Sequence, residues 1–91
     1  MKWTQEQAVA FESACEIIGH LIGIKMEQIE AELNSPVPNQ DRIDALRAER
    51  RSLAAERNVL HVTDTEKVGR IRREYGAMIK AWESSPTAPA Q

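Results

Sequence analysis

Residues 10–33 read AFESACEIIGHLIGIKMEQIEAEL, a stretch with more apolar surface than one neighbour can cover. From Phe11 the large residues fall at Phe11, Cys15, Ile18, Ile22, Met26, Ile29 and Leu33, a four-three-four spacing used twice. A second row, Ala10, Ala14, Ile17, Leu21 and Ile24, lies beside the first half of that stripe. Residues three and four apart share one face of an α-helix. Two adjacent apolar rows therefore demand at least two packing helices, from this chain or another. The stretch predicts an all-α fold and an associating molecule.

The limits of this helix are written on either side of it. Upstream, Thr4 with Gln7 three residues later forms a capping-box pattern, and Trp3 is placed to staple onto Ala8. Downstream, Asn34-Ser35-Pro36-Val37-Pro38-Asn39 holds two prolines, and Pro36 cannot continue the helix. The first helix is thus expected over about residues 5–33, roughly 43 Å at about 1.5 Å per residue.

Beyond the turn, Asn39 is a suitable cap, with Asp41 in the first turn where the helix dipole favours an acid. Leu46, Leu53 and Leu60 then recur every seven residues, with Ile43 on the complementary seam position. The remaining seam positions hold Arg50 and Arg57, and Ala45, Ala48, Ala54 and Ala55 pad a narrow stripe. This predicts a second helix over about residues 40–61, joined to the first as an antiparallel hairpin by a short connection. The heptad does not run on. Continued past Leu60 it would put Asp64 and Lys67 on the seam, whereas the apolar residues are Val68, Ile71, Tyr75, Met78 and Trp82. Thr63 with Glu66 offers a second capping box, so a third helix is expected over about residues 64–83. Folded back, it completes a three-helix bundle; kinked outward, it leaves an open hairpin that must dimerise. Coiled-coil-like packing is expected in either form. The helical domain spans residues 1–83, and residues 84–91, proline-rich and uncharged, are expected to form a disordered tail.

Composition narrows the class further. A chain of 91 residues is one domain, and four aromatic residues (Trp3, Phe11, Tyr75 and Trp82) leave its core to aliphatic side chains. The net charge of −2 conceals an asymmetry. Residues 1–40 carry two basic and six acidic side chains, whereas residues 41–91 carry ten basic and eight acidic ones. Oppositely charged halves favour packing against each other, within a chain or between chains. The arginines of the second and third helices are expected to pair with the acidic first helix, within the chain or across a dimer. Overall acidity argues against non-specific binding to DNA or anionic membranes. The longest apolar run, Ile17 to Ile24, is broken by Gly19, His20 and Gly23 and is too short to span a bilayer. The chain opens on a capped helix start and not on a basic and then apolar leader. A single cysteine, Cys15, rules out an intramolecular disulfide and suits a reducing compartment, so a cytoplasmic location is expected.

Few residues suggest chemistry. No metal, cofactor or catalytic site is expected: Cys15, His20 and His61 supply too few ligands for a zinc site. No third residue orients a Cys–His pair for nucleophilic attack. Glu12 with Glu16 and Glu27 with Glu30 are helical neighbours, as expected of solvated or arginine-matched faces. Gly19 and Gly23 are more informative. Each mid-helix glycine costs about 1 kcal/mol relative to alanine. With Cys15 they form a strip at four-residue spacing where another helix backbone could approach. Tyr75 and Trp82 are expected as core residues, or as anchors for a partner. These five residues, Cys15, Gly19, Gly23, Tyr75 and Trp82, are the candidate contact site.

Arg70, Arg72, Arg73 and Lys80 make the third helix basic and provide an alternative contact to phosphates. No helix-turn-helix spacing accompanies them. The expected function is a small non-enzymatic protein–protein interaction module, of adaptor, chaperone, inhibitor or antitoxin type. It is expected to act as a homodimer and on a protein partner of unidentified sequence. The alternative is a dimeric nucleic-acid-associated regulator.

Overall fold

Thr4 starts the first helix through the reciprocal cap that its sequence predicts. The Gln7 backbone N–H donates to Thr4 Oγ1 at 3.0 Å, and the Thr4 N–H donates to Gln7 Oε1 at 2.9 Å. The computed structural model describes residues 2–84, which form α1 (Gln5–Leu33), α2 (Gln40–Val59) and α3 (Thr65–Ser84). The tail expected from residue 84 lies outside the described residues from position 85, and Ser84 itself closes α3. The α1–α2 turn is pinned from both sides. Glu32 Oε1 accepts the Asn39 N–H at 2.9 Å, and Asn39 Oδ1 caps α2 by accepting the Arg42 N–H at 3.1 Å.

Two boundaries differ from the sequence reading, each for a local reason. α2 stops at Val59, two residues early, because Leu60 adopts an extended conformation (φ −74°, ψ 133°). That turn swings Leu60 into the core instead of letting it continue the stripe. α3 does not start through the Thr63–Glu66 capping box. Asp64 instead precedes the helix, its carbonyl accepting the Val68 N–H at 2.9 Å while its carboxylate accepts the His61 N–H, also at 2.9 Å. The Asp64 carboxylate thus turns back to the connecting segment and ties His61 to the start of α3.

α1 packs against both α2 and α3, whereas the backbones of α2 and α3 do not pack directly on each other. The direction of α3 follows from its two ties to α1. Gln7 Nε2 donates to Thr65 Oγ1 at 3.1 Å near one end, and His20 Nε2 lies 3.9 Å from Glu83 Oε2 near the other. α3 therefore runs parallel to α1 and back along α2: the folded-back form, an all-α three-helix bundle. The core has two parts. Ala14, Ile18, Leu60, Val68 and Ile71 meet where all three helices converge. Ile29, Ile43 and Leu46 fill the far end, where the first two helices supply the cluster. The result is an elongated body of 54 × 25 × 17 Å, three helices thick at one end and a hairpin at the other.

Within the chain, the arginines of α2 and α3 form no ion pair with α1 among the described residues. Among the described residues, the ion pair joining α1 to α2 has the opposite polarity, with Lys25 Nζ of α1 at 2.9 Å from Glu49 Oε1 of α2. Arg70 instead meets Glu56 of α2 at 3.3 Å and Glu74 of its own helix at 3.5 Å. The register explains this. Antiparallel packing brings Arg57 against Cys15 and Gly19, which carry no carboxylate, while Arg50 lines one groove with Glu27 and Glu30 without forming an ion pair among the described residues.

Candidate interaction surface

The apolar excess of α1 is only partly absorbed by its two neighbours. Ala14, Ile18, Leu21, Ile24 and Ile29 are buried, but Met26 is 52% and Leu33 50% exposed. Both belong to the row Phe11–Leu33, on the flank turned from α3. Here a shallow groove opens between α1 and α2. Its lining includes Gly23, Met26, Ile29 and Leu33 together with the charged Glu27, Glu30 and Arg50.

Cys15, Gly19 and Gly23 follow the same flank. Within the chain they are not a close crossing of two backbones, contrary to the expectation from their spacing. A Cβ built on Gly19 would lie 3.4 Å from Arg57 Nη1, the far end of a flexible side chain, and one on Gly23 would meet nothing within 4 Å. The Arg57 head, not a helix backbone, lies at Gly19, and Gly23 is open. Burial pushes the Cys15 thiol above its ordinary value; Arg57 opposes the shift and Glu12 adds to it. A thiol held protonated in this way is a poor nucleophile.

The open space at Gly23 has a measurable consequence. Gly23→Ala is expected to stabilise the fold by about 0.5–1 kcal/mol, because it removes a mid-helix glycine without a clash. For a domain of this size that is a rise of about 4–8 °C in Tm per kcal/mol, read by thermal unfolding of the dilute protein. A fall in Tm would show that the site is filled when the chain is alone.

Tyr75 and Trp82 occupy α3 and do not join the glycine strip; both are half-buried. Tyr75 packs against the three-helix cluster, and its hydroxyl donates to Glu56 Oε1 at 2.6 Å. Glu56 accepts from Arg70 on its second oxygen, so one carboxylate ties α2 to α3 through two side chains. Sequence reasoning missed Glu56. Its only signal was an acid in an otherwise arginine-rich stretch of α2. Of the alternative basic set, Arg70 is engaged by Glu56 and Glu74, while Arg72, Arg73 and Lys80 are exposed. Arg72 lines a cleft with Thr4, Glu6, Gln7 and Thr65 at the start of α1 and α3.

Among the described residues no three His, Cys, Asp or Glu side chains gather to hold a cation, and no helix is long and apolar enough to cross a membrane. Comparison with protein-family models, characterised proteins and solved structures finds no match.

Proposed function

We propose that this chain is a non-enzymatic helical interaction module that works in a cytoplasmic, reducing setting, pairs with a second copy and presents its helical surface to a protein partner. The observation that carries this reading is the half-exposed row of Met26 and Leu33 over an open groove beside Gly23. Large apolar side chains grouped on one flank, rimmed by charges, have the composition of a protein contact. The free Cys15 supports the compartment. The engagement of Arg70 by two carboxylates favours protein over phosphate as the ligand, since it occupies one of the fork donors of α3.

A capture experiment with a control variant tests this reading. The wild-type chain is expected to retain a specific protein from lysate in a salt-insensitive manner. Met26→Asp with Leu33→Asp is expected to abolish capture while leaving the helical circular dichroism intact. Binding to duplex DNA that weakens steeply with salt and disappears with Arg72→Ala and Arg73→Ala would overturn it in favour of the nucleic-acid regulator.

A further inference from the structure

We infer that two copies of this chain exchange their third helices: the turn after α2 straightens into helix, α2 and α3 become one rod, and each α3 docks on α1 of the other copy. This rests on the reading that the chain pairs with a second copy and supplies the geometry of that pairing. The turn itself is lightly held. It is closed by the Asp64 N–H donating to the His61 carbonyl at 3.0 Å and by the Asp64 carboxylate accepting the His61 N–H. Residues 60–64 include no glycine and no proline, and no described residue has a positive φ. No position in the segment therefore obliges the chain to turn. The end of α2 lacks the glycine that commonly stops a helix, and the Leu60 N–H reaches the Arg57 carbonyl only at 3.4 Å.

Straightened, the rod carries one apolar face. Leu53 of α2 and Ile71 of α3 are 18 residues apart, about five turns, so they fall on the same side. At about 100° per residue, Leu46, Leu60, Val68 and Tyr75 all lie within about 60° of that line. These are residues with which α2 and α3 build the two core clusters of the folded-back form. The directions agree as well. Helix α3 lies parallel to α1, and α2 antiparallel to it. An α3 that continues the direction of α2 must therefore meet an α1 pointing the opposite way. A second copy related by a two-fold axis perpendicular to the rod provides one. In the bundle α3 starts beside Gln7, at the end of α1 where α2 finishes, so the two copies meet at those ends.

The exchange requires no new complementary surface. The backbones of α2 and α3 do not pack on each other, and α3 is held by α1 and by the Glu56 tie to Tyr75 and Arg70. Each of these contacts is remade with the other chain, and only a turn is replaced by helix. Exchange of an identical element is a low-cost route to a dimer. Mass action then selects the form: dilute chains close on themselves, and concentrated chains pair. The groove beside Gly23, Met26 and Leu33 lies toward the far, hairpin end and stays free for a partner in both forms.

Sedimentation and cross-linking between unlike chains test this together. One chain carries Gln7→Cys and the other Thr65→Cys, both in a Cys15→Ser background and made distinguishable by mass. They are unfolded, mixed and refolded at high concentration, and the dimer is treated with a short bifunctional thiol reagent. The exchanged form is expected to give a link between residue 7 of one chain and residue 65 of the other, which two closed monomers do not give. Val62→Pro is the second arm. Position 62 follows His61 in the β-turn closed by Asp64, where proline is favoured, whereas in a continuous helix it would remove a hydrogen bond. Val62→Pro is therefore expected to keep the helicity and melting of the dilute chain and to weaken dimerisation at least about a hundredfold. A dimer without the 7–65 link would overturn the exchange and leave self-association through another face standing. A linked dimer that survives Val62→Pro would overturn the continuous rod. A wild-type monomer at all concentrations would overturn the pairing altogether, while the capture experiment separately decides whether the module has another partner.

Discussion

Ile18→Ala is expected to lower the unfolding free energy by about 2–5 kcal/mol, the range for truncating a fully buried branched side chain. Ile18 is 0% exposed and belongs to the cluster that α1, α2 and α3 share, so no single helix can close the resulting cavity. Small domains hold only about 5–15 kcal/mol in total. The variant should therefore be partly unfolded near physiological temperature. Urea denaturation followed by circular dichroism checks this, with a lower midpoint at unchanged slope as the expected signature. Met26→Ala serves as the control. Met26 is half-exposed on the same helix, and in dilute protein its truncation is expected to change stability by no more than about 0.5 kcal/mol. Equal costs at the two positions would show that the apolar rows of α1 are not divided between an intramolecular core and an open flank.

The second large effect concerns Glu56. Glu56→Ala is expected to cost about 1–3 kcal/mol, because it leaves the half-buried Tyr75 hydroxyl and the Arg70 guanidinium without the acceptor that ties them to α2. Tyr75→Phe should cost about 1 kcal/mol. The two changes should be less than additive, since they remove the same bond. The contact also predicts a pH dependence. Burial raises the Tyr75 hydroxyl above its ordinary 10.0, and the hydrogen bond to Glu56 raises it further. The folded state thus favours the protonated phenol. Its contribution is fully present below pH 10 and is lost as pH climbs through the raised value. The wild-type Tm should fall more steeply above pH 10 than that of Tyr75→Phe, and parallel curves would remove Tyr75 from the account.

Periodicity made most of this fold legible. The two apolar rows of residues 10–33 required two neighbours for α1, and α2 and α3 supply them. The Thr4–Gln7 cap, the Asn39 cap and the proline turn placed the first hairpin because each acts within a few residues. The Thr63–Glu66 pattern misled, because Asp64, one residue further on, precedes α3 instead. The fate of α3, folded back or kinked outward, depended on contacts far apart along the chain, such as Gln7 with Thr65, and periodicity carries no information about these. The site was legible in its parts but not in its assembly. Gly19, Gly23, Arg50 and Arg57 each stood out, yet only the antiparallel register shows Arg57 reaching Gly19 and Arg50 lining one groove with Gly23. Charge totals misled in the same way. The opposite signs of the two halves suggested pairing within or between chains, but within the chain the α1–α2 ion pair is Lys25 with Glu49, of opposite polarity. Glu56 was missed because its partners, Tyr75 and Arg70, had been read as a core aromatic and a phosphate contact.

The claim beneath all of this is that α1 is covered on two sides by its own chain, with α3 returning alongside it. A cross-linking measurement tests this most directly, using Gln7→Cys and Thr65→Cys in a Cys15→Ser background and a short bifunctional thiol reagent. The folded-back bundle predicts rapid linkage within one chain, at unchanged mass and helicity, because the wild-type side chains touch at 3.1 Å. Linkage only between chains, or none while the protein remains helical, would contradict it.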